Sequence, residues 1–301
     1  MSEYGQPIEN AEVDLDRPID PQFLNVDFRR HSKLVRRQMG CGLNPHMKLG
    51  AVSPIFEEHF SEHIIPQADW KNLVDTHKPN YSQLVTWQYD QDGEGTCTSN
   101  AESDVISCIW TGTFGHEFSI APSPISMYRF CASGPNSGSS VACNIKRARD
   151  HGCLLIDNAQ NRKVLDAMGL DPNHTIKAVG YNQRIPAGAM EETAIHFQID
   201  EAYQIATIEG FFTALLLGFH VNYGRDSHAI HGTDAVFRSE WVCKYHNSWG
   251  QWGDNGYGYD TFDYIRRRSA AYGAWAHRSI KITTSGLRMF GVPELSLSTA
   301  A

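Results

Sequence analysis

The stretch Asp90-Gln91-Asp92-Gly93-Glu94-Gly95-Thr96-Cys97-Thr98-Ser99-Asn100-Ala101 joins a two-glycine loop to the first turn of a helix. The helix follows from the residues beyond it. Ala101, Val105, Ile106, Ile109 and Trp110 recur at steps of three and four, which predicts one buried face over Thr98 to Trp110. Cys97 therefore stands where that helix begins. A thiol there meets unpaired backbone N–H groups and the positive end of the helix dipole, and both favour thiolate, the nucleophilic form. Gly93 and Gly95 permit backbone paths that a side chain would block. Gln91, six residues before the cysteine, supplies an amide donor able to fold back beside the sulfur. With the Cys97 N–H it would make an oxyanion hole, a contribution of about 3 kcal/mol per donor.

Two later segments carry complementary chemistry. In Asp226-Ser227-His228-Ala229-Ile230 an imidazole enters a strand directly after a loop, where it can accept a thiol proton and return it to a leaving amine. In Tyr245-His246-Asn247-Ser248-Trp249-Gly250, Asn247 can orient an imidazole through its side-chain oxygen, and Trp249 can roof that bond against water. Taken singly, each has a plainer reading. A cysteine among apolar residues is more often core filling than nucleophile, and His228 is one of 14 histidines. A glycine-rich turn with a tryptophan anchor accounts for Trp249 and Gly250 but not for Asn247-Ser248.

Around these segments the order is helices first and strands later. Ser139 and Ser140 can cap a helix striped by Val141, Ile145 and Ala148, with Gly152 at its end. Asp157 to Met168 predicts a third helix closed by Gly169. Thr207 can cap a fourth that runs to Gly218 and feeds a strand over Phe219 to Tyr223. Short strands are expected at His228 to Gly232, Trp241 to His246 and Trp252 to Tyr264. That order predicts an α+β domain of two lobes, and the seam between lobes is a common place for a site.

The 301 residues carry 26 Lys and Arg against 34 Asp and Glu, a formal charge of −8. Such a chain lacks the positive field that nucleic-acid or anionic-membrane binding needs, so neither is an expected partner. The first twenty residues hold six acids and one Arg and no apolar core of the secretory kind. The longest apolar run, Gly210 to Phe219, is about half the roughly 20 residues of a membrane-spanning helix. A cytoplasmic or virion-associated location is the expectation. Seven cysteines without a C-x-x-C spacing argue against a zinc knuckle or a disulfide framework. No metal ligands and no cofactor are expected, and Cys41, Cys108, Cys131, Cys143, Cys153 and Cys243 read as reduced thiols in or near the core, one bridge among Cys131, Cys143 and Cys153 being the lesser reading. Residues 1–60 differ from the rest, with five Lys or Arg and no acid over Phe28 to Arg37. The simpler reading is a solvated arm packed loosely on the domain at 61–301. The sharper one is a docking arm for protein assembly, or a pro-segment covering a cleft.

The motifs Q-x-G-x-G-x-C-T-x-N-A, S-H-A-I and H-N-S-W-G-x-W-G-x-N-G-Y, in that order, resemble the papain-like cysteine peptidases over about residues 65 to 265. The likeness is greatest to their bacterial and viral branch, with Ser123-Pro124, Met127-Tyr128 and Gly138-Ser139-Ser140 adding to it. The resemblance implies a papain-like fold, with a helical left lobe over about 65–190 and an antiparallel β-barrel-like right lobe over about 191–290. It implies Cys97 as nucleophile, His228 as base and acid, Asn247 as orienting residue and Gln91 as oxyanion donor. Trp249, Gly95 and Gly138 fall to support and substrate binding. Thr98 replaces the aromatic residue usual after the nucleophile, which implies a wider groove, and His246 replaces a Lys with no expected consequence. The function implied is hydrolysis of peptide bonds in a peptide or protein substrate through an acyl-enzyme. A structural or assembly subunit keeping the same fold is the alternative, and acyl transfer to an amine is a third reading.

Overall fold

The structure, a computed structural model, describes residues 5–8, 18–30, 39–42, 52–177, 185 and 188–289. Strand β1 (Gly5–Pro7) pairs antiparallel with β2 (Trp87–Tyr89), and the loop after β2 leads into the long central helix. Helix α1 (Gln67–His77) precedes it in the chain; α2 (Cys97–Phe114) is the helix that the apolar stripe predicts. The stripe understates its burial, because every residue of α2 except Gly112 and Thr113 is buried. One side faces α3 (Ile125–Cys131) and α4 (Val141–His151); the other faces the sheet of the second lobe.

Local signals place the helix ends. Ser140 accepts from the Cys143 N–H at 3.2 Å and caps α4 as expected, and Gly152 ends it at φ +70. A Cβ on Gly152 would lie 1.8 Å from the Ala194 carbonyl oxygen, so glycine is required there on two counts. Helix α5 (Ala159–Ala167) starts at Asn158, whose side chain accepts from Asn161 N–H at 2.7 Å. Cys131 and Cys143 form a disulfide between α3 and α4, with Cα atoms 5.6 Å apart. This corrects the reduced-thiol reading for those two residues: helix packing brings them together, and their spacing in the chain does not encode it. The other five cysteines are free and buried.

The second lobe is a six-stranded antiparallel sheet of β3 (Ile199–Gln204), β4 (His220–Arg225), β5 (His228–Phe237), β6 (Trp241–His246), β7 (Tyr257–Thr261) and β8 (Ala274–Ile280). The order is β3-β8-β4-β5-β6-β7, and among the described residues the outer strands do not pair into a closed barrel. Helix α6 (Ile208–Leu216), capped by Thr207, covers it, and Phe212 stacks on Trp70 of α1 at 5.2 Å. The expected α+β architecture of two lobes is what the chain adopts. Helix α7 (Phe262–Arg268) takes up the end of the last expected strand, because the Thr261 hydroxyl caps it at the Tyr264 N–H. Among the described residues no helix is long and apolar enough to cross a membrane.

The described parts of residues 1–60 are not a loose arm. Phe28 is fully buried, and Val26, Gly40 and Cys41 are buried too. Of the basic stretch, Arg29 and Arg30 are exposed, with Arg29 bonded to the Tyr272 hydroxyl at 2.9 Å, while residues 31–38 lie outside the described residues. Arg225, fully buried, anchors this region. Its Nη1 donates to the Val26 carbonyl at 2.6 Å, its Nε and Nη2 grip both oxygens of Asp260 at 2.5 and 2.8 Å, and its guanidinium lies 4.1 Å from the centre of the Phe28 ring. Its Nη1 also lies 3.0 Å from Asp226 Oδ2, yet Asp260→Ala would remove the two-oxygen grip on a buried cation, a loss of about 3–5 kcal/mol. The expected readout is a lower denaturant midpoint at unchanged slope; an unchanged midpoint would show that Asp226 alone suffices.

Candidate active site

Cys97 is the first residue of α2 and has no solvent exposure. Its own N–H, that of Thr98, and those of Ala229 and Gly40 donate toward the sulfur. Ala229 follows His228 on β5, so the start of the left-lobe helix meets the start of a right-lobe strand. The His228 Nε2 lies 2.7 Å from Asn247 Oδ1. An amide oxygen only accepts, so Nε2 carries the hydrogen and Nδ1 the lone pair. That Nδ1 is buried without a hydrogen-bond partner, the Cys97 sulfur included. The Trp249 ring covers the imidazole at 4.8 Å between centres. Phe28 meets the same imidazole edge-on at 4.6 Å and Trp249 at 5.2 Å.

The Asn-Ser-Trp turn is stitched to the loop before Cys97. The Ser248 hydroxyl donates to Gln91 Oε1 at 2.7 Å, and the Gln91 N–H donates to the Ser248 carbonyl at 2.9 Å. The Gln91 Nε2 donates to the Glu94 carbonyl at 2.7 Å. Ser248 thus has a purpose that a simple glycine turn would not require: it fixes which end of the Gln91 amide points into the loop.

Residues 39–42 cross this region from wall to wall. The Gly40 carbonyl accepts from Ser139 N–H at 2.7 Å, Gly42 N–H donates to the Ser139 carbonyl at 2.9 Å, and Cys41 N–H donates to the Ser227 carbonyl at 3.0 Å. The pairing with Ser139 is parallel. The approach is as close as glycine allows. A Cβ on Gly138, which stands at φ +72, would come within 2.3 Å of the Gly40 oxygen, and one on Gly40 within 2.0 Å of the Gly95 oxygen. Gly95 and Gly138, expected on the substrate side, therefore face a segment of the chain itself. Thr98, expected to widen the groove, instead turns into the left lobe, where its hydroxyl meets Ser139 Oγ and the Asn144 amide.

Burial sets the protonation of the pair. It pushes the Cys97 thiol up to about 11, against the backbone donors that pull the other way. It drives the His228 imidazole down to about 3, helped by the charge of Arg225 and only partly offset by the bond to Asn247. The thiolate expected at a helix N-terminus is disfavoured here, because desolvation outweighs the backbone donors. The covered site holds a neutral thiol and a neutral imidazole.

Three contributors escaped the sequence reading. Phe28 gave no signal beyond its place in a basic stretch. His246, expected to have no consequence, donates from Nδ1 to Asp104 at 2.7 Å and faces Gln88 Oε1 through Nε2 at 2.9 Å. His231, its register partner on β5, reaches the same Asp104 oxygen at 2.6 Å. A strand period of two places His231 and Ala229 on one face, toward α2, which is the signal that was available.

No family model matches the chain, and no curated protein matches it. Among solved structures it is similar to procathepsin B from Trypanosoma congolense, at 12% identity over 82% of this chain and 88% of that one, with a TM-score of 0.51. It is also similar to the bromelain protease from Ananas comosus, at 14% identity over 72% of this chain and 100% of that one, with a TM-score of 0.50. At these identities the likeness is one of fold, and the fold is papain-like.

Because Cys97 is raised from its ordinary 9.0 to about 11, little thiolate exists at neutral pH. Alkylation of Cys97 by iodoacetamide in the intact chain is expected to be slow at pH 7 and to climb until pH approaches 11, as followed by peptide mapping. Rapid labelling at pH 7 would show that the sulfur is neither covered nor raised.

Proposed function

We propose that the chain is a papain-like cysteine peptidase whose cleft is covered by its own Phe28 and residues 39–42, a latent form. The observation that carries the reading is the imidazole of His228. It is held by Asn247 on one nitrogen and bare on the other, beside a cysteine at a helix N-terminus, with a peptide segment already lying between the walls.

The chemistry follows from those positions. His228 Nδ1 takes the Cys97 proton, and the thiolate sulfur bonds to the carbonyl carbon of the scissile peptide. Negative charge moves to the carbonyl oxygen, where Gln91 Nε2 and the Cys97 N–H stabilise it. The imidazolium then gives its proton to the leaving nitrogen as the C–N bond breaks. Water, deprotonated by the same imidazole, splits the thioester and restores the thiol. Asn247 keeps the ring in the required tautomer, and Trp249 excludes competing water from that bond.

Latency has a physical basis besides obstruction. Withdrawal of Phe28 and residues 39–42 returns water to both groups, so the thiol pKa falls from about 11 and the imidazole pKa rises from about 3. Both shifts move the pair toward thiolate and imidazolium, the reactive combination. The arm therefore suppresses the nucleophile electrostatically as well as sterically. The substrates of this reading are peptides or proteins in extended conformation, bonded to Ser139 and Ser227 as residues 40–42 are.

A protease site inserted between residues 43 and 51 allows the arm to be cut after folding. Hydrolysis of a fluorogenic peptide library is expected to appear on cutting and to vanish in Cys97→Ala. Gln91→Ala should lower kcat about 100- to 1,000-fold with less change in KM. A cut chain no more active than Cys97→Ala, or a fully active Cys97→Ala, would overturn the reading.

A further inference from the structure

Eleven residues beyond Cys97 on α2, about three helical turns away, a second sulfur faces two histidines of the other lobe. We propose that Cys108, His220 and His231 form a buried site for a thiophilic divalent ion, zinc by the chemistry of its donors, that ties the two lobes together. One donor atom from each residue lies within 4.8 Å of the other two, and all three side chains are buried. Cys108 comes from the left-lobe helix, and His220 and His231 come from the adjacent strands β4 and β5.

The donors are arranged as a metal requires. His220 Nδ1 and His231 Nε2 stand 2.9 Å apart. Two nitrogens on one tetrahedral zinc, each at about 2.0–2.1 Å, are separated by about 3.3 Å, so a small opening admits the ion. One thiolate and two imidazoles are a borderline-soft set that favours zinc over calcium or magnesium. His231 also has the outer partner typical of ligating histidines: its Nδ1 donates to Asp104 at 2.6 Å, which leaves Nε2 with the lone pair that now accepts from His220 and would face an ion.

An independent observation points the same way. His277 of β8 pairs in register with His220 and is fully buried; neither ring nitrogen is hydrogen-bonded, although Nε2 lies 3.6 Å from Glu102 Oε2. Buried ring nitrogens without hydrogen bonds are rare, and this histidine stands on the strand next to His220 with its Nδ1 unused. A protein site closed from solvent at a lobe junction is structural rather than catalytic. No sequence spacing announces it, because Cys108 and His220 are over a hundred residues apart and only the fold joins them.

The experiment uses the full chain carrying Cys97→Ala, so that the cleft sulfur contributes nothing. Elemental analysis after exhaustive dialysis is expected to find one zinc per chain. Chelation should lower Tm by several degrees, restored by zinc and not by magnesium. Cobalt substitution should give a thiolate charge-transfer band with the visible absorption of a tetrahedral ion, and Cys108→Ala should abolish both bands. If Cys108→Ala fails to fold, X-ray absorption of the zinc-loaded chain decides, with one sulfur and two or more nitrogens expected. Metal-free protein with a Tm indifferent to zinc, or a cobalt–thiolate band that persists in Cys108→Ala, would overturn the proposal and leave a hydrogen-bonded histidine pair.

Discussion

A helix buried on nearly all sides while carrying Thr98, Ser99, Asn100, Glu102, Asp104 and Ser107 has to find partners for those groups inside the protein. Each failure costs about 1–3 kcal/mol. Ser99 and Asn100 turn back to Thr96, and Ser107 donates to the Ile120 carbonyl at 2.6 Å, all within the left lobe. The two carboxylates instead reach across. Glu102 accepts from Asn222 at 2.8 Å, and burial holds its pKa up at about 8, a neutral acid at pH 7. Burial would raise Asp104 as well, but His246 and His231 hold it far below the ordinary carboxylate range. One acid is kept neutral and its neighbour two residues on is kept charged, according to the partner each meets on the sheet.

The same competition between desolvation and partners governs the cleft. Four backbone donors converge on Cys97, yet they do not compensate for the water removed by residues 39–42 and Phe28. At His228 one hydrogen bond from an uncharged amide cannot hold a proton against burial. The close fit of residues 39–42 depends on glycine at 40 and 138, where a Cβ would force the backbones apart.

Sequence alone carried far where local rules decide. The Ser140 cap, the Gly152 stop, the Thr207 cap and the strand Trp241–His246 are all where short-range chemistry puts them. The fold class followed from the order of helices and strands. It carried less where partners are remote. The apolar stripe of α2 described one face, and the polar faces gave no hint that histidines from β5 and β6 would bury them. The Cys131–Cys143 bond and the burial of Phe28 likewise depend on packing between segments. Strands β3 and β8 went unrecognised because neither alternates apolar with polar residues.

The registry of β5 links these themes. Along a strand, alternate residues face opposite sides. Ala229 and His231 face α2, the one packed in the same cluster as Cys97 and the other on Asp104, while Ile230 faces the right-lobe aromatic core and His228, at the head of the strand, lies under Trp249. A slip by one residue would exchange the two faces. It would withdraw His231 from a buried carboxylate and His228 from Asn247 together, so the error is penalised twice, once in the core and once at the cleft. An apolar seam would tolerate sliding far better than a charged oxygen that must meet two imidazoles at 2.6 and 2.7 Å. Asp104 touches neither Cys97 nor His228, yet by fixing α2 against β5 it fixes where the sulfur and the imidazole stand relative to each other.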